Sequence, residues 1–223
     1  MKKLLPALLF SALTALPIYA QEWSVGVRTG AFVFGDFVER RLRAGNEQPG
    51  EVHVVVLSAA TRPGLAVDLE RELSDRWAVR AQGTFTRSPL SIEGDEDDDE
   101  GFELEAGELD VATFAVPIVF RINTGGTFRF HLMAGPAYAA YRIEAPDTAP
   151  NTVPVFEGTR SAWGAMAGVG VAWMLSDRFA IEGAISDVVT SSPFDRDDFS
   201  DVPGIDILRP HNVHTTVGIR WMF

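Results

Sequence analysis

The chain has 223 residues and a formal net charge of −12, because 31 acidic residues outweigh 19 lysines and arginines. This acidity argues against nucleic acid as a partner. The chain contains no cysteine, so its stability cannot depend on disulfides.

The amino terminus has the three parts of a secretory signal peptide. Met1-Lys2-Lys3 is basic, Leu4–Leu16 is apolar, and Ile18-Tyr19-Ala20 ends on a small residue. We therefore predict that residues 1–20 are a signal peptide and that residues 21–223 form one domain. An uncleaved anchor helix is the alternative, but the apolar stretch is too short to span a membrane comfortably.

Beyond this leader, no stretch is apolar for the roughly 20 residues that a membrane helix needs, so any span must consist of strands. Eight segments alternate apolar and polar residues, which predicts strands. They are Trp23–Phe34, Gly64–Leu73, Trp77–Arg87, Leu109–Ile122, Phe128–Ile143, Ser161–Leu175, Phe179–Thr190 and Val213–Phe223. Short connections (74–76, 123–127, 176–178) alternate with long ones (35–63, 88–108, 144–160, 191–210), which is typical of an outer-membrane barrel.

The last strand shows which face meets the lipid. Its apolar face runs from Val213 to the terminal Phe223, and its other face carries His214, Thr216 and Arg220. In a membrane barrel the apolar face points outward. The terminal aromatic resembles the assembly signal of bacterial outer-membrane barrels, with Trp221 and Phe223 as its residues. We therefore expect the cell outer membrane as the location, and membrane lipids, lipopolysaccharide and the barrel assembly machinery as partners.

The segment from Arg62-Pro63-Gly64-Leu65 to Gln82 resembles the small bacterial outer-membrane β-barrel domain family. This family includes barrels similar to outer membrane proteins A and X and the PorT-like proteins. The segments Ala115–Val119, Met133–Pro136 and Ala167–Val171 are similar to its later strands. The resemblance implies an all-β fold, an eight-stranded antiparallel up-and-down transmembrane β-barrel. It implies no catalytic residue and no substrate.

The strand faces place a group of charged residues inside the barrel, near the end with the short turns. An arginine on the lipid face would cost about 2–4 kcal/mol at mid-bilayer, so inward placement is favoured. The interior of eight strands is only wide enough for side chains, which predicts a salt-bridged plug. A gated pore, in which the ion pairs exchange partners, is the alternative. The predicted lumen network is Arg28, Glu70, Arg80, Arg121, Arg129, His131, Glu182 and Arg220.

An acidic run, Glu93–Gly101, lies in the second long connection and continues with Glu103, Glu105 and Glu108. The spacing of its aspartates is similar to that of a calcium loop, but the glycine and the distal glutamate are displaced. We interpret the run as a solvated, self-repelling loop and predict no metal site. Between a calcium site and a solvated loop lies a third interpretation, in which divalent cations loosely bridge the run to lipopolysaccharide phosphates. The fourth connection is acidic too, with Asp195, Asp197, Asp198, Asp201 and Asp206.

The first long connection contains a β-prone run, Glu51–Leu57. This run either forms a hairpin with Asp36–Arg43 above the membrane or is itself the second strand. An exposed strand edge there is a possible adhesion surface.

The four histidines, His53, His131, His211 and His214, form no His-x-Ser pair of the kind seen in barrel lipid deacylases. His211 and His214 beside the acidic fourth connection come nearest to a catalytic group. We predict that the protein is not an enzyme and has no cofactor. The preferred function is a monomeric barrel with a structural or surface-interaction role. A small-solute or hydrophobic-compound channel is the alternative, followed by a secreted soluble barrel such as a lipocalin.

Overall fold

The computed structural model describes residues 23–43, 52–94, 102–145, 157–194 and 205–223. The regular structure in these ranges is entirely β, and none of it is a helix able to cross a membrane. The strands are β1 (Trp23–Phe34), β2 (Val38–Arg43), β3 (Val52–Ala59), β4 (Arg62–Glu72), β5 (Trp77–Gly94), β6 (Phe102–Ala115), β7 (Ile118–Arg121), β8 (Phe128–Glu144), β9 (Gly158–Met174), β10 (Phe179–Thr190), β11 (Ile205–Ile207) and β12 (His211–Met222).

The strands form a closed antiparallel ring in the order β1, β4, β5, β6 with β7, β8, β9, β10 and β12. The ring closes where β12 pairs with β1, from Ser24 opposite Met222 to Phe34 opposite Asn212. Closure satisfies the backbone hydrogen bonds that an open sheet edge would leave exposed to lipid. The predicted eight-stranded up-and-down barrel is confirmed.

The stagger of the strands sets the width of the barrel. Following paired residues once around the ring from Glu72 leads back to the same strand at Arg62, ten residues away. In an eight-stranded barrel, a stagger of this size corresponds to a strand tilt of about 40° and an interior that side chains fill.

Aromatic side chains mark both edges of the lipid-facing surface. Those at the end with the short turns, which we call the turn end, include a Phe128–Trp173 stack and a Phe179–Trp221 stack, with ring centroids 6.1 and 6.4 Å apart. Near the other edge, Trp163 is 74% exposed and its ring lies 5.1 Å from that of Tyr138. About ten residues of tilted strand separate the edges, which matches an apolar band about 25 Å tall.

The second long connection differs from the prediction, because β5 runs to Gly94 and β6 begins at Phe102. The two strands stay paired up to Gly94 opposite Phe102, so the barrel wall continues beyond the apolar band. Residues 102–108 are therefore strand rather than solvated loop, including Glu103, Glu105 and Glu108. The rest of the acidic run, 95–101, and Asp195–Asp201 in the fourth connection lie outside the described residues.

The first connection forms the hairpin that was one of the two alternatives for this segment. β2 pairs with β3 from Val38 opposite Leu57 to Arg43 opposite Val52. β3 then pairs with β5, where β4 has ended, and β11 pairs with β2. The strands β6, β5, β3, β2 and β11 thus form one antiparallel sheet above the apolar band, which we call the upper sheet.

The predicted fourth strand, Leu109–Ile122, is interrupted: β6 ends at Ala115 and β7 begins at Ile118. Pro117 has no N–H to donate, so regular pairing stops there. The opposite strand approaches closely at this point. A Cβ on Gly135 would lie 2.4 Å from the Val116 carbonyl oxygen, so only glycine fits without a shift of the backbone.

Candidate functional site

A network of buried ion pairs fills the turn-end half of the barrel interior, and Glu182 on β10 is at its centre. Its Oε1 accepts hydrogen bonds from Arg28 Nη1 at 3.2 Å and Arg80 Nη1 at 2.8 Å. Its Oε2 accepts one from Arg220 Nε. Three guanidinium groups from β1, β5 and β12 therefore share one carboxylate.

Asp68 on β4 is a second centre, and the predicted network did not include it. Its Oδ2 accepts a hydrogen bond from Arg28 Nη2 at 2.8 Å and its Oδ1 accepts one from Arg220 Nη2 at 2.5 Å. The sequence pattern did indicate that Asp68 faces inward, since it lies two residues before Glu70 on the same face of β4. Its central position depends on the pairing of β4 with β1, because Gly26 lies opposite Asp68 and leaves room for the carboxylate inside the barrel.

Glu70 lies nearer the turn end and binds Arg80 and one further arginine, Arg121. Its Oε2 accepts hydrogen bonds from Arg80 Nε at 2.8 Å and Nη2 at 2.6 Å. Its Oε1 accepts one from Arg121 Nη2 at 2.8 Å, and Arg121 also pairs with Glu72. The predicted residues Arg28, Glu70, Arg80, Arg121, Glu182 and Arg220 thus lie together in one connected group.

Neutral oxygens complete this group. Gln82 accepts from Arg28 at 2.9 Å, and Ser24 accepts from Arg220 at 2.9 Å. A buried ion is costly unless its hydrogen bonds are satisfied, and here most donors have an oxygen partner. The network therefore acts as a rigid plug whose members depend on one another.

His131 and Arg129, both predicted members, lie at the margin of the group. His131 is buried, and its Nε2 lies 3.7 Å from Glu182 Oε1 without a hydrogen bond. Arg129 departs from the prediction, because no described residue makes an ion pair with it and its buried Nε has no partner. Both line a cavity of about 30 Å³ at the turn end.

A second, apolar plug fills the interior at the opposite end. The Phe37 ring packs edge-on against Tyr141 and Phe194, with centroids 6.3 and 5.8 Å apart. Phe37 and Phe194 lie in the first and fourth long connections, outside the eight predicted strands, so the strand pattern did not reveal them. The buried cluster includes Phe32, Phe34, Phe37, Leu90, Leu109, Tyr141, Ile143 and Phe194.

The two histidines nearest to a catalytic arrangement lie on opposite faces of β12. His214 points inward and its ring lies 4.3 Å from that of Phe32. His211 points outward, where its Nδ1 lies 2.6 Å from Asp187 Oδ2. The barrel wall separates the two imidazoles, so they cannot act together.

Comparison with known proteins agrees with this geometry. A model of the outer membrane protein β-barrel domain matches residues 5–220. OprG from Pseudomonas aeruginosa has a TM-score of 0.60 at 10% identity, over 92% of this chain and 96% of that chain. Neisserial surface protein A has a TM-score of 0.48 at 10% identity, over 92% and 100%. The outer membrane protease OmpT from Escherichia coli has a TM-score of 0.47 at 12% identity, over 91% and 97%.

No curated protein matches the chain in sequence. At such low identities the structural likeness concerns the fold alone, and the neighbours' activities differ. The family model, by contrast, covers nearly the whole chain. This protein is therefore an outer-membrane protein and belongs to the outer membrane protein β-barrel domain family.

Proposed function

We propose that this protein is a sealed, non-conducting barrel that anchors the upper sheet outside the cell for contact with partners there. One observation carries the proposal: the interior is filled twice, by the ion-pair network at the turn end and by the apolar cluster at the other end. A solute would have to displace both plugs in order to pass. The role involves no catalysis.

The orientation follows from the lengths of the connections. Outer-membrane barrels have short turns on the periplasmic side and longer loops on the extracellular side. The three short turns, the start of β1 and the end of β12 lie at the turn end, which we place in the periplasm. The upper sheet then extends into the extracellular space.

The charge of the upper sheet limits the kind of partner it can take. Burial raises the pKa of the Asp36 carboxyl, and the nearby carboxylates of Glu93 and Glu39 raise it further. In the sequence of the upper sheet, six acidic residues (Glu39, Glu93, Glu103, Glu105, Glu108 and Asp206) outnumber three arginines (Arg40, Arg41 and Arg43), so its net charge is negative and repels anionic surfaces. We propose that partners of this sheet are basic or reach it through divalent cations.

The outer wall just above the apolar band carries paired charges. Arg87 Nε lies 2.6 Å from Asp110 Oδ1, and Arg142 Nη2 lies 2.7 Å from Glu144 Oε1. This is the level at which the phosphates of lipopolysaccharide would lie. We propose lipopolysaccharide as the lipid partner here. We also propose a monomer, since a closed ring has no free edge in the membrane.

In planar bilayers, the purified barrel should show no stable conductance, because both plugs block the interior. A porin reconstituted in the same way is the positive control. The runner-up function, a small-solute channel in which ion pairs exchange partners, is favoured by the several carboxylates that Arg80 contacts. Stable single-channel steps from the wild-type protein would support that channel and contradict the sealed barrel.

The absence of cysteine allows a direct test of orientation. A Glu105→Cys variant on the upper sheet should react with a membrane-impermeant maleimide on intact cells. An Asp177→Cys variant in a short turn should react only after the outer membrane has been permeabilised. The reverse pattern would show that the upper sheet does not face outward.

A further inference from the structure

The cavity at the turn end has an imbalance of charge. Four arginines and three glutamates line it. Three of the arginines (Arg80, Arg121 and Arg220) are paired with these glutamates. Arg28 and Asp68, which lie deeper inside, add one positive and one negative charge to the same network. Arg129 is therefore the one cationic side chain of the cavity without a carboxylate among the described residues.

A second, independent observation comes from His131. This side chain is only 5% exposed and lines the same cavity, and its Nε2 has no hydrogen-bond partner among the described residues. Burying a polar atom without a partner is unfavourable because its hydration is lost with nothing in exchange, so a missing partner is expected. Arg129 and His131 are two residues apart on one face of β8, about 7 Å between their Cα atoms.

We propose that this cavity binds one small anion, chloride in the periplasm, between the Arg129 guanidinium and the His131 ring. In the Nε2–H tautomer, His131 Nε2 and the Arg129 guanidinium are both hydrogen-bond donors, so neither can accept a hydrogen bond from the other, and an anion can accept from both. The charge of Glu182 does not prevent this, because three guanidinium groups already surround that carboxylate.

The size of the cavity selects the kind of anion. A volume of about 30 Å³ has room for about two water-sized species. A chloride ion with one water molecule fits this space, whereas sulfate or phosphate would have to displace side chains of the network. The neutral alternative is a pair of ordered water molecules, which would satisfy His131 but leave the charge of Arg129 uncompensated.

The test measures the urea midpoint of unfolding of the barrel in detergent micelles, in sodium chloride, sodium gluconate and sodium sulfate at equal ionic strength. A ligand that binds only the folded state raises the midpoint as its concentration rises. We expect chloride to raise the midpoint of the wild type above the value in gluconate. Sulfate raises the midpoint by its exclusion from the protein surface, and this rise should be the same in the wild type and in Arg129→Gln. Equal midpoints in chloride and gluconate would overturn the proposal.

Two variants locate the effect. Arg129→Gln should lose the chloride-dependent shift, and Arg129→Lys should retain part of it. Arg71→Gln is the matched control, since Arg71 lies at the same end but outside, 5.3 Å over the Trp23 ring. It should keep the full shift. An undiminished shift in Arg129→Gln would contradict the site.

A direct measurement does not depend on any variant. Crystals of the wild-type protein grown in sodium bromide should show an anomalous peak between Arg129 and His131 Nε2. If the Arg129→Gln variant fails to fold, the bromide peak alone tests the anion site. The absence of the peak would overturn the proposal.

Discussion

Replacing Glu182 by Gln is expected to lower the free energy of unfolding by about 3–5 kcal/mol, because it leaves buried guanidinium groups without their shared charge. Glu182 is fully buried and contacts Arg28, Arg80 and Arg220. The double variant Glu70→Gln with Glu182→Gln should lose more stability but should still show no stable conductance in planar bilayers, because the apolar plug at the other end of the barrel is unchanged. Urea unfolding in micelles and bilayer conductance are the measurements.

Glu144→Gln is the matched control for the loss of a carboxylate. Its partner is Arg142, and both side chains are exposed on the outer wall. Pairs of this kind contribute about 0–1 kcal/mol, so the urea midpoint should hardly move. An unchanged midpoint in the Glu182→Gln variant would show that the buried network does not hold the barrel together.

Deleting Phe223 is expected to abolish most of the folded, heat-modifiable protein in the outer membrane and to leave unfolded protein in the periplasm at high expression. Phe223 ends the closing seam: its N–H donates to the Trp23 carbonyl at 2.8 Å and its carbonyl accepts from Trp23 N–H at 3.1 Å. Its ring points outward beside Trp221, 5.3 Å between centroids. The same face would present Trp221 and Phe223 to the assembly machinery.

A control variant separates assembly from stability. Phe179→Ala removes an aromatic ring that stacks on Trp221 but leaves the terminus intact. It should reach the outer membrane in near-normal amounts. The Phe223 deletion should also refold in detergent, since only two backbone hydrogen bonds are lost. Normal amounts of the deletion variant in the outer membrane would show that Phe223 is not part of the assembly signal.

The sequence by itself determined the fold class and the face of each strand. In β12 the alternation of Val217, Ile219 and Trp221 with Thr216 and Arg220 is enough to assign the two faces. The apolar side chains must face the lipid, and the polar side chains must face the narrow interior. The short turns, such as Ser74-Asp75-Arg76, likewise show which consecutive strands are antiparallel neighbours. These are local signals with a period of two residues, and they do not depend on which strands are neighbours.

Only the tertiary structure decided which charges meet. Glu182 and Arg28 are far apart in the chain and become neighbours because the stagger of the strands brings β10, β12 and β1 to the same level. The same stagger made Asp68 a centre of the network and left Arg129 without a carboxylate partner in the part of the chain that the structure describes. The hairpin of β2 and β3 was one of two alternatives from the sequence, but the pairing of β3 with β5 and of β11 with β2 was not predicted. The inward rings of Phe37 and Phe194 were hidden too, because pairing beyond the lipid needs no alternation of apolar residues. Composition shows which charges exist, whereas the register decides which of them are compensated.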